Sequence, residues 1–471
     1  MSLQHIVHQY QQATSISQVV TALQQEKNHF QISNLAGSSL SFVIAESFKK
    51  SAHPFLLIFD DKEEAAYYLN DLEQLLGDKN VLFFPGSYKR PYQIEETDNA
   101  NVLLRSEVLN RINSQKKPAI IVTYPTALFE KVVTKKELEK NTLKIAVEES
   151  LSLDFVNEML FEYKFKRVDF VTEPGDFSVR GGIIDVFSFS NNEPYRIEFF
   201  GDEIDSIRTF DVETQLSKEK LQKVAIIPNV ENKTLQENRE SFLSYISPKT
   251  QIFAKNISLI SGSLDKFYAT AEEAFLKLSK EIKHAKPSEL FCNGEFINQQ
   301  LNDFTVVEMT SKISQNVKEI SFNTKPQPSF NKQFSLLIDD LKEHHKAGFT
   351  NYIFCANEQQ AKRFHDIFDD ANEKVHYETI VFPLFEGFID IDQKIVCYTD
   401  HQIFERYHKF RLKNGYAKKQ AITLQELNKL EIGDFVTHMD HGIGKFAGLQ
   451  KIDVNGKKQE AIKLIYGDRD I

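Results

Sequence analysis

The strongest constraint on what this chain can fold into lies in its first 140 residues, where short apolar runs alternate with longer stretches of helical spacing. The runs at 55–59, 81–84 and 119–122 are strand-length, and the stretches at 63–76 and 99–112 repeat their apolar residues as a helix does. In the first stretch these are Tyr68, Leu69, Leu72, Leu75 and Leu76. Strand, helix, strand in repetition predicts a parallel, doubly wound sheet, because right-handed crossovers return each helix to the sheet face.

From 165 to 211 the period falls to two. Phe177 and Val179 alternate with Ser178 and Arg180, and Tyr195, Ile197 and Phe199 alternate with Arg196 and Glu198. Gly181-Gly182 and Asn191-Asn192 punctuate the runs. This predicts a small antiparallel sheet with one buried face and one wet face. Residues 218–320 mix strands at 225–227, 251–254 and 305–308 with a helix at 270–282. A polar, proline-containing stretch at 323–329 reads as a linker. Residues 333–411 then read helix, strand, helix, strand, strand, helix. The end, 431–471, is β-rich, with turns expected at Gly442, Gly444, Gly448 and Asn455-Gly456, and no internal repeat is visible.

Length and composition exclude several classes. At ~150 residues per domain, 471 residues predict about three domains. With 41% hydrophobic and 26% charged residues the chain is globular, and 18 Gly and 13 Pro exclude collagen-like or low-complexity structure. A net charge of −10 argues against wholesale electrostatic binding of nucleic acid, leaving only a local basic face. Cys292, Cys355 and Cys397 are far apart with no CxxC, which argues against disulfides and cysteine-based zinc sites and for a reducing, cytoplasmic setting. No secretory leader and no apolar run of ~18 residues is present, so no membrane is expected.

One loop invites a phosphate-binding reading, although an ordinary strand-to-helix turn of an α/β domain fits it better. Between an expected strand end at 31–33 and a helix at 40–50 stands Asn34-Leu35-Ala36-Gly37-Ser38-Ser39-Leu40-Ser41. Against GxxxxGK[ST], Asn34 replaces the first glycine, Ser39 the second and Leu40 the lysine, and Ser41 alone matches. A leucine cannot supply the charge that reaches the outer phosphates. His438 and His441 flank Asp440 and fit a β-turn better than a metal site. No GxSxG, HExxH or EF-hand pattern occurs. Nothing assembles a catalytic or metal site.

Two segments carry a resemblance. FKRVDFVTEPGDFSVRGGIIDVFSFSNNEPYRIEFFGDEIDSIRTFD, residues 165–211, resembles the small inserted domain of the excision-repair protein UvrB, and more closely its counterpart in the transcription-repair coupling factor family. IGDFVTHMDHGIGKFAGLQKI, residues 432–452, resembles the start of that family's RNA-polymerase-interacting module, a small CarD-like barrel. FFPGSYKRPYQ at 83–93 and the loop at 34–41 also stand where the family has its first split-domain half. The missing lysine, and the absence of an aromatic-rich hairpin after Tyr92, set the chain apart from UvrB itself.

The resemblance implies an α/β multidomain protein. A degenerate RecA-like, UvrB-like doubly wound domain would occupy 1–142 and 218–325, with an inserted UvrA-binding β domain at 143–217. A small α/β domain of unknown role would follow at 333–415, and an incomplete CarD/Tudor-like β-barrel at 425–471. It further implies an N-terminal part of a longer protein of transcription-coupled excision repair, itself non-catalytic. ATP, magnesium and most DNA contact would belong to absent motor domains. The expected partners are UvrA, through Arg180, Phe187, Arg196 and Glu198 with Lys166 and Arg167, and the polymerase β subunit, through Lys451, Ile452 and Asp453 once the barrel is complete. Ser178 stands where UvrB has a second arginine. Two other readings stay open: an ATP-dependent helicase or UvrB-type enzyme subunit, and a scaffold that restrains the motor. The charged residues also fit a solvated sheet face, and Ile452 also fits barrel core.

Overall fold

In the computed structural model the residues described are 2–87, 92, 99–113, 117–229, 238–278, 284–310, 317–371, 374–406, 432–438, 442–454 and 457–466; of 2, 99, 437, 438, 442, 449, 451–454 and 457–462 the backbone alone is described. The chain forms two compact units, Met1–Tyr416 and Ala417–Ile471.

The first unit is built on a seven-stranded sheet in the order Lys318–Ser321, His29–Ser33, Thr305–Met309, Gln251–Ala254, Phe55–Ile58, Ile120–Thr123, Val81–Phe83. Every neighbouring pair is parallel. Phe55–Ile58 and Ile120–Thr123 are buried at every position, as strands covered on both faces must be. The helix Lys62–Leu76 starts where Asp61 accepts the Glu64 amide and stops at Gly77, whose φ of 84° no β-carbon favours. The neighbouring helix Ser39–Lys50 is buried continuously from Ser39 to Ser47, so a second layer must cover its outer side.

The chain leaves this sheet for an inserted domain. Six strands run in the order Ser217–Leu221, Glu203–Phe210, Tyr195–Phe200, Ile183–Val186, Asp176–Arg180, Lys166–Arg167, antiparallel except for the last pair. The expected alternation holds at Phe177, Tyr195 and Ile197, which with Ile184 and Val186 pack on Val156 and Leu160 of the helix Leu153–Glu162, while Val179 and Phe199 are only partly buried against the same core. Lys223–Ile226 pairs with Leu143–Ala146, so the insertion runs past the expected boundary at 217. The expected helix at 270–282 begins earlier, spanning Ile257–Leu276, because Asn256 caps it by accepting the Leu259 amide.

The covering layer is a five-stranded mixed sheet in the order Thr324–Pro326, Phe388–Asp390, Ile395–Thr399, Thr350–Cys355, Glu378–Val381. Its period-two alternation divides two cores. Tyr352, Phe354, Ile395 and Cys397 join the core of the seven-stranded domain, whereas Ile353, Cys355, Val396 and Tyr398 pack with Leu337 and Leu341 of Phe334–Lys346 and Phe364 of Glu358–Asp370. Tyr10 donates to Asp390 at 2.8 Å in the buried joint. The stretch read as a linker is therefore corrected in part: Thr324–Pro326 is an edge strand.

The second unit is a three-stranded antiparallel sheet, Phe435–His438, Gly442–Val454 and Lys457–Ile465, with the longest strand in the middle.

Candidate partner surface and the closed phosphate loop

The wet face of the inserted sheet carries one cross-strand row. Register aligns Ser178 with Asp185, Asp185 with Arg196, Arg196 with Arg208, and Arg208 with Lys220. Asp185 is buried, and Arg196 clamps it in a two-pronged pair, Nε to Oδ1 at 2.7 Å and Nη2 to Oδ2 at 2.9 Å. Arg180 donates to the same Oδ2. One carboxylate thus holds two guanidinium groups and leaves a net positive charge at the surface. The two differ in exposure: the Arg180 side chain is 43% exposed and that of Arg196 16%. Arg196 lies over the Phe210 ring at 4.7 Å and Arg180 over Phe170 at 5.5 Å. Glu198 pairs with Arg208 and accepts the Ser206 hydroxyl at 2.6 Å; that hydrogen bond, with the nearby guanidinium, holds its carboxyl below the usual range.

The other expected residues divide. Lys166 and Arg167 are exposed on the edge strand. Phe187, expected as an apolar contact, is corrected: it is fully buried with Val171 and Phe210, and supports the charged row from within the domain. Ser178 is buried too, its hydroxyl donating to the Asp169 carbonyl at 3.1 Å. Sequence reading did not single out Asp185, although two-residue alternation places it opposite Ile184 and Val186. It also passed over Phe170, which is 59% exposed beside Arg180.

The loop at 34–41 links strand to helix as expected, and other parts of the chain fill it. Asn34 adopts a left-handed φ of 58°, which asparagine tolerates better than most residues, and this is how it replaces a glycine. Ser39 is buried, its hydroxyl donating to the Ala36 carbonyl at 2.6 Å, and Leu40 packs into the core. The Ala36 amide donates to Thr324 Oγ1 at 2.7 Å, and the Ser38 amide to the Glu386 carbonyl at 3.1 Å. Ser41 donates to Asp71 at 3.0 Å.

In the C-terminal unit Gly442 and Gly444 pair with His438 and Val436 within the ladder, so neither forms the expected turn. Gly448 takes a left-handed φ of 95° at the bulge between Phe446 and Leu449. A β-carbon on Gly444 would meet the Tyr466 ring at 2.9 Å. Lys451, Ile452 and Asp453 pair with Glu460, Gln459 and Lys458. Among the described residues, the opposite edge of 449–454 has no strand against it. Leu464 is half-buried; His441, Asn455, Gly456 and the side chains of Ile452 and Ile462 lie outside the described residues. Among the described residues no helix is long and apolar enough to cross a membrane, and no group of three potential metal ligands occurs.

Comparison with known proteins agrees with this geometry. The UvrB interaction domain matches residues 143–231, which is the insertion closed by Lys223–Ile226, and the CarD-like/TRCF RID domain matches 430–471. The transcription-repair-coupling factor of Bacillus subtilis (strain 168) is 24% identical, covering 93% of this chain and 43% of its own length. That of Staphylococcus aureus (strain bovine RF122 / ET3-1) is 26% identical over 96% of this chain and 46% of its own length. The chain is similar to the transcription-repair-coupling factors over nearly its whole length. It spans less than half the length of these coupling factors. The two matched domains coincide with the charged row and with the three-stranded sheet.

Proposed function

We propose that this chain is a recruitment module of transcription-coupled excision repair, joining the damage sensor UvrA to a stalled RNA polymerase. The observation that carries the reading is the Arg180–Asp185–Arg196 triad within the segment matched by the UvrB interaction domain. A partner carboxylate can take the exposed prongs of Arg180 while Asp185 keeps that guanidinium oriented. Such arginines often dominate interface energetics.

The C-terminal sheet is the polymerase-binding element, adding a strand of the β subunit to the open edge at 449–454, with Ile452 as apolar anchor. This unit is CarD/Tudor-like and the seven-stranded domain RecA-like in ancestry. The chain itself hydrolyses nothing. ATP-driven translocation on DNA belongs to the whole coupling factor. The enzyme-subunit alternative needs a lysine at position 40, where Leu40 is core.

Co-elution with immobilised UvrA and, separately, with the polymerase β subunit tests this. Arg180→Ala should abolish capture by UvrA, and Ile452→Ala, in a chain extended to complete the barrel, should weaken capture by the β subunit and spare UvrA. Full retention of UvrA by Arg180→Ala would place the interface elsewhere.

A further inference from the structure

The five-stranded sheet has no role in that reading, yet one of its loops meets the phosphate loop directly. Residues 383–387 connect Glu378–Val381 to Phe388–Asp390. The Glu386 peptide makes a reciprocal pair with Ser38: its carbonyl accepts the Ser38 amide at 3.1 Å, and its amide donates to Ser38 Oγ at 2.9 Å. An amide of a strand-to-helix loop is what a phosphate oxygen would take. Here a carbonyl oxygen takes it, and the returning N–H is a donor that a fully ionised phosphate lacks.

The fit leaves no spare space. Gly37 has φ 51°, and a β-carbon there would stand 2.7 Å from the Gly387 carbonyl oxygen and 3.0 Å from that of Glu386. Gly387 is equally confined, a β-carbon meeting the Cys397 carbonyl oxygen at 2.8 Å. Phe385 stacks on Tyr67 with ring centroids 4.0 Å apart and meets Tyr68 edge-on at 5.8 Å. Asn70 donates to the Pro383 carbonyl at 3.2 Å, and Asp71 accepts the Phe385 amide at 2.9 Å. Every residue from 383 to 387 except Leu384 thus contacts the loop at 34–41 or the helix Lys62–Leu76 beside it, and Leu384 is buried in the shared core.

We infer that residues 383–387 are an internal ligand of the vestigial phosphate loop, closing it in cis and clamping the five-stranded sheet to the seven-stranded domain. The inference goes beyond the recruitment reading, which needs no nucleotide and assigns this sheet nothing. It separates two causes of nucleotide insensitivity. If the missing lysine and glycines were the whole cause, restoring them would restore binding. If the cradle is already occupied, it would not.

The test uses the full 471-residue chain. Hydrogen exchange on the parent should show the Ser38 amide protected, with Phe385→Ala accelerating its exchange at least tenfold while the Ile32 amide in the neighbouring strand is unchanged. Calorimetry of the triple substitution Asn34→Gly, Ser39→Gly, Leu40→Lys with Mg-ATP should show no saturable heat. Solvent-rate exchange of Ser38 in the parent overturns the inference, and that measurement stands whether or not a variant folds. So does an unchanged Ser38 rate in a folded Phe385→Ala, or micromolar ATP binding by the triple variant.

Discussion

The carboxylate of Asp71 accepts the backbone amide of Phe385 at 2.9 Å, joining residues 314 positions apart. Its other oxygen accepts the Ser41 hydroxyl at 3.0 Å, and the group is buried. Burial pushes its pKa up to about 7, against the opposing pull of hydrogen bonds from Ser38, Phe385 and Ser41. The folded value therefore lies above the unfolded one. The stabilisation from this group is complete below about pH 4 and is lost as pH rises toward 7. Across that window it falls by at most about 1.4 kcal/mol per pH unit. Asp71→Asn keeps an acceptor for Phe385 and removes the charge. It should match the parent in urea unfolding near pH 4 and exceed it near pH 8; a parallel pH dependence in both proteins would contradict this.

Arg180 and Arg196 share Asp185 but should respond differently to truncation. Arg180 is the exposed partner, so Arg180→Ala should change stability by less than about 1 kcal/mol. Arg196→Ala leaves the buried Asp185 without its two-pronged partner and should cost about 2–4 kcal/mol. Denaturant melts of the two variants give the comparison, and equal losses would show that the carboxylate is not held as described.

Gly37→Ala meets both a left-handed φ and a carbonyl oxygen 2.7 Å away. A loss of about 2–4 kcal/mol is expected in chemical denaturation. Gly181→Ala is the control, since its φ is also positive, 58°, but nothing stands within 4 Å of the added carbon. It should lose only about 1 kcal/mol. Similar losses at both sites would mean that the loop at 383–387 can withdraw at little cost.

All three cysteines are free and buried. Burial pushes the thiols of Cys292 and Cys355 up to about 12 and that of Cys397 well above its ordinary value. A thiol-disulfide exchange reagent at about pH 8 should label none in the native protein and all three in denaturant. Fast native labelling of any one would show that its domain opens readily.

What the sequence made legible depended on how each contact is encoded. Tyr195, Ile197 and Phe199 could be placed on one face because side-chain period alone decides it. The defect at Leu40 was equally plain, since chemistry names the residue that must stand there. The plug in the loop was not. Ser38 meets Glu386 through backbone and hydroxyl groups 348 residues apart, and a backbone carbonyl has no signature in sequence. Thr324 was hidden likewise, its hydroxyl spent on Ala36 from a stretch whose proline suggested a linker. Asp185 failed differently. A lone carboxylate among apolar neighbours at 183, 184 and 186 carries no sign in the sequence that Arg180 and Arg196 converge on it.

The strand order also sets a timetable. His29–Ser33 lies between Thr305–Met309 and Lys318–Ser321, so both its neighbours emerge from the ribosome more than 270 residues after it. At roughly 5–20 residues per second that is a wait on the order of tens of seconds. The inserted sheet pairs almost wholly with its immediate successors in the chain and can fold meanwhile. During synthesis, then, the surface with the charged row is finished while the domain carrying it is still an open sheet, and the first strand made is among the last to be sealed.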